Sequence, residues 1–254
     1  MLEIVQIPVL SDNYIYLLHE PVSAETAVVD PALAPPVLEV LAKKGWKLNY
    51  VFNTHHHSDH VGGNLNIKHE TGCQVIASAY DYQRIPGIDK TVTHGDRIAL
   101  GEETLEILST PGHTNGHIVY FCETSKALFC GDTLFSMGCG RLFEGTPEQM
   151  WKSLQLIKAL PESTRIYCAH EYTKANGTFA LTIEADNPEL QRRLEEVTAL
   201  VARKQPTIPS TLAQELATNP FLREQCSAVQ ENLDMIGENP IDIFARIRHL
   251  KDRF

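Results

Sequence analysis

Two patterns of apolar and polar positions divide the chain. Up to about residue 173, short runs rich in β-branched and aromatic residues alternate with turn residues, the signature of strands. EIVQIPVL, YIYLLHE, ETAVVD, NYVFNT, QVIAS, TLEILST, HIVYFCE, ALFCGD and RIYCAH each predict one. Helices are predicted between some of them: over residues 35–44, and from residue 59 or 60 to residue 69 with a stop near Gly72. A third has start and stop signals of its own. Thr146 caps, Pro147 is the first helical residue, Gln149 completes a capping box and Pro161 follows the end, while Met150, Leu154 and Ile157 form a helical stripe. Sheets with helices packed outside them are the expected outcome.

After Tyr172 the strand pattern stops. Asn187-Pro188, Asn219-Pro220 and Asn239-Pro240 each read as an N-cap followed by a first helical residue. Leu190, Leu194, Val197 and Val201 recur at helical spacing, and Ile241, Phe244 and Ala245 begin another apolar face. The change falls between residues 173 and 186. It predicts an α/β domain over 1–173 and a smaller, all-helical domain over 174–254.

Charge narrows the function classes. Asp and Glu total 32 against 22 Lys and Arg, a formal charge of −10, which disfavours nucleic acid or an anionic membrane as partner. No apolar run approaches the roughly 18 residues of a membrane span, and the N-terminal MLEIVQIPVL has no basic leader, so a cytoplasmic protein is expected, and a monomer. The six cysteines form no C-x-x-C pair and several sit in strand-like runs. They read as buried, reduced thiols rather than disulfides or thiolate ligands.

The segment THHHSDH, residues 54–60, crowds four imidazoles and a carboxylate together. A strand would turn His60 away from 55, 57 and 59, and a helix would set His55 and His57 about 200° apart. A loop after the strand NYVFNT can instead wrap them around a small volume. Imidazole with carboxylate suits zinc, and also iron or manganese. One loop cannot supply a full coordination set, and further candidates stand at the ends of later strands: His113 in TPGHTNGH, Asp132 in LFCGDT and His170 in YCAHEY. His19, His69, His94, His117 and His249 read as ordinary or supporting residues, and His56 as pointing elsewhere.

The pattern H-x-H-x-D-H followed by single His, Asp and His resembles the metallo-β-lactamase superfamily. The resemblance implies an αββα sandwich with His55, His57 and His113 on one metal, Asp59, His60 and His170 on a second, and Asp132 bridging the two. Two divalent ions are implied, zinc first, with iron or manganese as alternatives. Asp132 stands where a Cys would favour the lactamase branch. More specific text follows: GDTLFSMGCGRLFEGT, CAHEYT, PSTLAQELATNPFLR and a basic tail ending RIRHLKD. These look like the hydroxyacylglutathione hydrolases, or glyoxalase II, over nearly the whole length.

That resemblance implies hydrolysis of a glutathione thioester, S-D-lactoylglutathione above all, by a metal-activated hydroxide that Asp59 helps to orient. Residues 241–254 carry Arg246, Arg248, Lys251 and Arg253 against Asp242 and Asp252, a local +2 suited to the carboxylates of glutathione. Arg248 and Lys251 share a helix face. Arg141 in GCGR and Tyr172 in HEYT are implied as further substrate contacts, although eukaryotic members carry Lys at the first and a Tyr where this chain has Phe143. The alternatives are a mono-iron glutathione persulfide dioxygenase, another hydrolase or RNase of the same fold, and a metal-scavenging protein. The helical tail argues against the dioxygenase, the acidic balance against an RNase, and Asp132 and His170 after separate strands against mere scavenging.

Overall fold

A computed structural model describes residues 1–254. Its contacts divide the chain into two units, Met1–Ser109 with Asn115–Gly131, and Thr110–Thr114 with Asp132–Phe254. This division follows contacts, whereas the expected boundary at residue 173 follows the change from strands to helices.

The first unit contains β1 (Glu3–Val9), β2 (Asn13–Glu20), β3 (Glu25–Val29), α1 (Ala34–Lys44), β4 (Tyr50–Phe52), α2 (Ser58–Val61), α3 (Asn64–Thr71), β5 (Gln74–Ser78), β6 (Ile88–Val92), β7 (Arg97–Leu100), β8 (Glu103–Ser109), β9 (Ile118–Cys122) and β10 (Ala127–Gly131). Strands β1 to β6 make one sheet in chain order. Its first three strands pair antiparallel and the rest parallel. Strands β7 to β10 form an antiparallel meander. Alternation along the strands sends one set of side chains to each face. Ile15, Leu17, Val28, Val51 and Val75 pack against Val37 and Leu41 of α1 and Ile67 of α3. The opposite face carries Tyr16 and Phe52, whose rings lie 5.7 Å from Phe129 and 5.2 Å from Tyr120 of the meander. Each such fully buried side chain contributes about 1.5–3 kcal/mol.

All nine runs read as strands are strands. β6 and β7 went unread because IDKTV is polar and exposed through its middle, while RIAL, although it alternates exposed and buried, is only four residues long. The helix expected from residue 59 or 60 to 69 is in fact two, α2 and α3, broken at Gly62 and Gly63. A Cβ on Gly62 would stand 2.7 Å from the Ala32 carbonyl oxygen, and one on Gly63 2.6 Å from that of Pro31. Close passage of two backbones, rather than helical propensity, sets the break.

The second unit contains β11 (Leu134–Phe135), β12 (Gly138–Cys139), α4 (Pro147–Lys158), β13 (Arg165–Cys168), α5 (Thr173–Ile183), α6 (Pro188–Ala202), β14 (Ser210–Thr211), α7 (Leu212–Thr218), α8 (Ser227–Asn232) and α9 (Pro240–Arg253). Thr146 and Gln149 form the expected capping box, and Thr211 with Gln214 forms a second. Asn187 and Asn239 cap α-helices as expected, but Asn219 caps only a 3-10 turn, Pro220–Leu222. The short strand β14, which pairs with β13, interrupts the helical run. No helix of the chain is long and apolar enough to cross a membrane.

Arg223 grips the buried Glu184 with two hydrogen bonds, of 2.8 and 2.7 Å, and Asn187 adds one of 2.9 Å. Burial alone would raise the Glu184 pKa, but the Arg223 and Asn187 hydrogen bonds outweigh it and hold the carboxyl below its usual 4.5. A depressed carboxylate pKa adds stability that is complete above the unfolded value and is lost as pH falls through the folded one. Arg223→Ala leaves this charge buried without its partner, so about 3–5 kcal/mol of stability should be lost near neutral pH, as read by denaturant titration. The same variant should show a shallower loss of melting temperature than wild type as pH drops below 4.5.

Candidate metal centre and adjoining cavity

In the first unit, β4 delivers the chain into Asn53 and Thr54, and the next residues form a tight loop into α2. Asp30, just past β3 and at a left-handed φ of 49°, organises this loop. Its carboxylate accepts from the Thr54 amide at 2.8 Å, the Thr54 hydroxyl at 2.6 Å and His60 Nδ1 at 3.0 Å. A carboxylate only accepts, so Nδ1 of His60 carries the proton and Nε2 keeps its lone pair. Thr54 spends its hydroxyl proton on Asp30, so its oxygen accepts from His55 Nδ1 at 3.1 Å and leaves His55 Nε2 as the basic nitrogen. His55 Nε2 and His57 Nδ1 stand 3.0 Å apart, and His60 Nε2 lies 3.5 Å from an Asp59 oxygen. Asn13 donates to that same Asp59 oxygen at 3.0 Å.

Two nitrogens bound tetrahedrally to one ion at 2.0–2.1 Å stand about 3.3 Å apart, so the first of these pairings already approaches a ligand geometry. His117 is buried and stacks on His55 at 4.8 Å. His56 is engaged elsewhere, 3.5 Å from Asp81 and 3.3 Å from Arg84.

In the second unit, Asp132 turns one carboxylate oxygen to His113 Nε2 at 3.3 Å and the other to His170 Nε2 at 3.4 Å. His113 Nδ1 donates to the Arg141 carbonyl at 2.8 Å, which fixes its tautomer as Asp30 fixes that of His60. His170 stacks on Tyr172 with centroids 4.8 Å apart. These donors, neutral imidazoles and carboxylates each oriented by a partner, fit a divalent ion of the zinc, iron or manganese kind.

Beside them opens a cavity of about 420 Å³, lined by His113, Asp132, Phe135, Cys139, Arg141, Phe143, Tyr172, Ala175, Asn176, Arg248 and Lys251. All four side chains expected to meet substrate therefore line one cavity with two of the expected metal ligands. Arg248 is nearly buried, donates to the Cys139 carbonyl at 2.9 Å and pairs with Asp252 at 2.8 Å. Arg141 approaches the same Asp252 at 3.5 Å. Lys251 lies over the rings of Phe179 and Phe254 at 5.2 and 5.3 Å, and burial, then the Arg248 charge, lower its pKa. Burial pushes the Cys139 thiol up to about 11, so it is no thiolate nucleophile near neutral pH.

Sequence reasoning missed Asp30, Asn13 and Asp252. Asp30 ends the strand run ETAVVD just before Pro31, a placement shared with many turn residues, and nothing local ties it to the histidine loop.

Comparison with known proteins places this geometry in a family. A model described as the metallo-β-lactamase superfamily matches residues 11–170, and one described as hydroxyacylglutathione hydrolase C-terminus matches residues 171–254. A hydroxyacylglutathione hydrolase of Methylococcus capsulatus is 55% identical over 254 residues, 100% of this chain and 99% of that one. One of Rhodospirillum rubrum is 53% identical over 253 residues, 100% of this chain and 99% of that one. Among solved structures, the crystal structure of ETHE1 from Myxococcus xanthus matches with a TM-score of 0.67 at 24% identity, covering 97% of this chain and 99% of that one. The chain belongs to the metallo-β-lactamase superfamily and, within it, to the hydroxyacylglutathione hydrolases. It has the metallo-β-lactamase fold with a helical C-terminal region.

Asp30→Ala removes the acceptor that orients His60 and should lower affinity for zinc by about 10–100-fold, measured by competition with a chromogenic chelator. Unchanged affinity would show that His60 needs no such support.

Proposed function

We propose that the chain hydrolyses S-(2-hydroxyacyl)glutathione thioesters, chiefly S-D-lactoylglutathione to D-lactate and glutathione, as a monomer in the cytoplasm. In this reading His55, His57 and His113 would hold one divalent ion and Asp59, His60 and His170 a second, with Asp132 as a ligand common to both, and zinc as the first candidate metal. The observation that carries it is the cavity in which His113 and Asp132 stand beside Arg141, Tyr172, Arg248 and Lys251. Chemistry and recognition thus share one concave surface, on a chain 55% identical over its length to a named hydroxyacylglutathione hydrolase.

Bound divalent ions would supply Lewis acidity and bring the pKa of water toward neutrality. The residues of the chain do the rest. Asp30, the Thr54 hydroxyl and the Arg141 carbonyl hold His60, His55 and His113 as the tautomers whose Nε2 can coordinate. Asp59, steadied by Asn13, presents a carboxylate that can accept the proton of an attacking water. Arg141, Arg248 and Lys251 offer cations to the glutathione carboxylates, remote from the thioester bond. A thiolate leaves readily, because thiols titrate near pKa 8.5, so no additional general acid is required.

Purified protein should consume S-D-lactoylglutathione, followed by loss of thioester absorbance, and should stop when a chelator strips the metal. His57→Ala or Asp132→Ala should lose metal and at least about a thousandfold in kcat, equivalent to several kcal/mol. Full turnover by stripped protein would refute the reading. The Arg248→Ala and Lys251→Ala pair should raise KM by about 10–100-fold with a far smaller change in kcat, because these contacts are equal in ground and transition states.

A further inference from the structure

The cavity wall that carries Phe135 and Cys139, and leads into Arg141, is a hairpin of only two residue pairs, Leu134 with Cys139 and Phe135 with Gly138. A ladder this short does not hold itself in water. Its turn is also unfavourable, with Met137 at a left-handed φ of 55°. Something outside the hairpin must fix it, and the contacts show what does. Glu215 of α7 accepts the Met137 amide at 2.8 Å through Oε2. The same oxygen accepts from Asn219 Nδ2 at 3.0 Å, and that Asn219 amide also reaches the carbonyls of Phe135 at 3.1 Å and Gly138 at 3.0 Å. Asn176 holds a further turn carbonyl, that of Ser136, at 3.1 Å. The hairpin's polar backbone is thus tied to side chains at every residue of the turn.

The hairpin in turn aims functional groups. Just beyond it, the Gly140 amide donates to the Thr133 carbonyl at 3.2 Å. The Cys139 carbonyl seats Arg248 at 2.9 Å, and the Arg141 carbonyl orients His113 at 2.8 Å.

We propose that Glu215 is a positioning residue for the substrate cavity: its carboxyl fixes the 134–139 hairpin and, through it, the carbonyls that seat Arg248 and orient His113. Glu215 lines no part of the cavity, so it acts through the backbone and not on substrate. Burial raises the pKa of this carboxyl and favours its neutral form, outweighing the Met137 amide and Asn219, which pull it down. A carboxamide of the same shape can therefore replace it, with its oxygen toward the Met137 amide. A shorter acid cannot reach.

The assignment of a substrate effect rests on the proposed thioesterase reading, whereas the fixing of the hairpin does not, and the test separates the two. Metal-loaded, full-length Glu215→Ala, Glu215→Asp and Glu215→Gln are compared with wild type in thioester kinetics and in amide hydrogen exchange of peptides covering 134–141. Glu215→Ala and Glu215→Asp should raise KM about fivefold or more, with a smaller fall in kcat per folded molecule through the loosened His113 and faster exchange confined to the hairpin peptides. Glu215→Gln should restore both readouts. If Glu215→Ala does not fold, Glu215→Asp against Glu215→Gln carries the comparison. Wild-type KM and exchange in the Asp variant, or a loss of kcat in proportion to unfolded protein with KM unchanged, would overturn the proposal. A wild-type chain that hydrolyses no thioester would remove the activity reading, leaving hairpin exchange to decide whether Glu215 fixes the turn.

Discussion

A carboxylate has two oxygens, and Asp132 turns one to His113 and the other to His170. That arrangement makes a shared-ligand chemistry available to one side chain, and much of the second unit serves to keep it. Gly140 has no side chain because a Cβ there would collide with the Asp132 carbonyl oxygen. The chain can therefore fold back over Asp132 and bring the Arg141 carbonyl to His113. Precision at a polar cluster comes from backbone fit at its edges as much as from the polar groups themselves.

The first unit solves the same problem by a different route. Its imidazoles receive their tautomers from a relay that begins at Asp30, passes through the Thr54 hydroxyl and ends at His55, with His60 on a second arm. The left-handed backbone at Asp30 is unfavourable for a residue other than glycine, and three-way use of one carboxylate explains why it is tolerated there. Polar groups this deeply buried must be fully paired or they destabilise the fold.

Much of this was legible in the letters. Strands with strong β-branched runs declare themselves, as do caps such as Thr146, because both are local effects. The crowding of residues 54–60 signalled a candidate cation site because no single regular element accommodates it, and the chain there runs from a loop into α2. Asp30 and Glu215 were illegible for the opposite reason: each acts on residues 24 or more positions away, and an isolated acid carries no mark of its distant partner. Gly62 and Gly63 were misread as helix interior because only the three-dimensional passage of Pro31 and Ala32 forbids a side chain there.

That last feature reaches beyond the fold. The pitch of α2, the short helix that presents Asp59 and His60, is set by main-chain atoms touching main-chain atoms, with no side chain intervening to drift or repack. Over evolutionary time the surrounding apolar residues can exchange sizes and shapes while the approach angle of those two groups stays constant. Two absent methyl groups thus act as a ruler, insulating the placement of Asp59 and His60 from the mutational noise of the core around them.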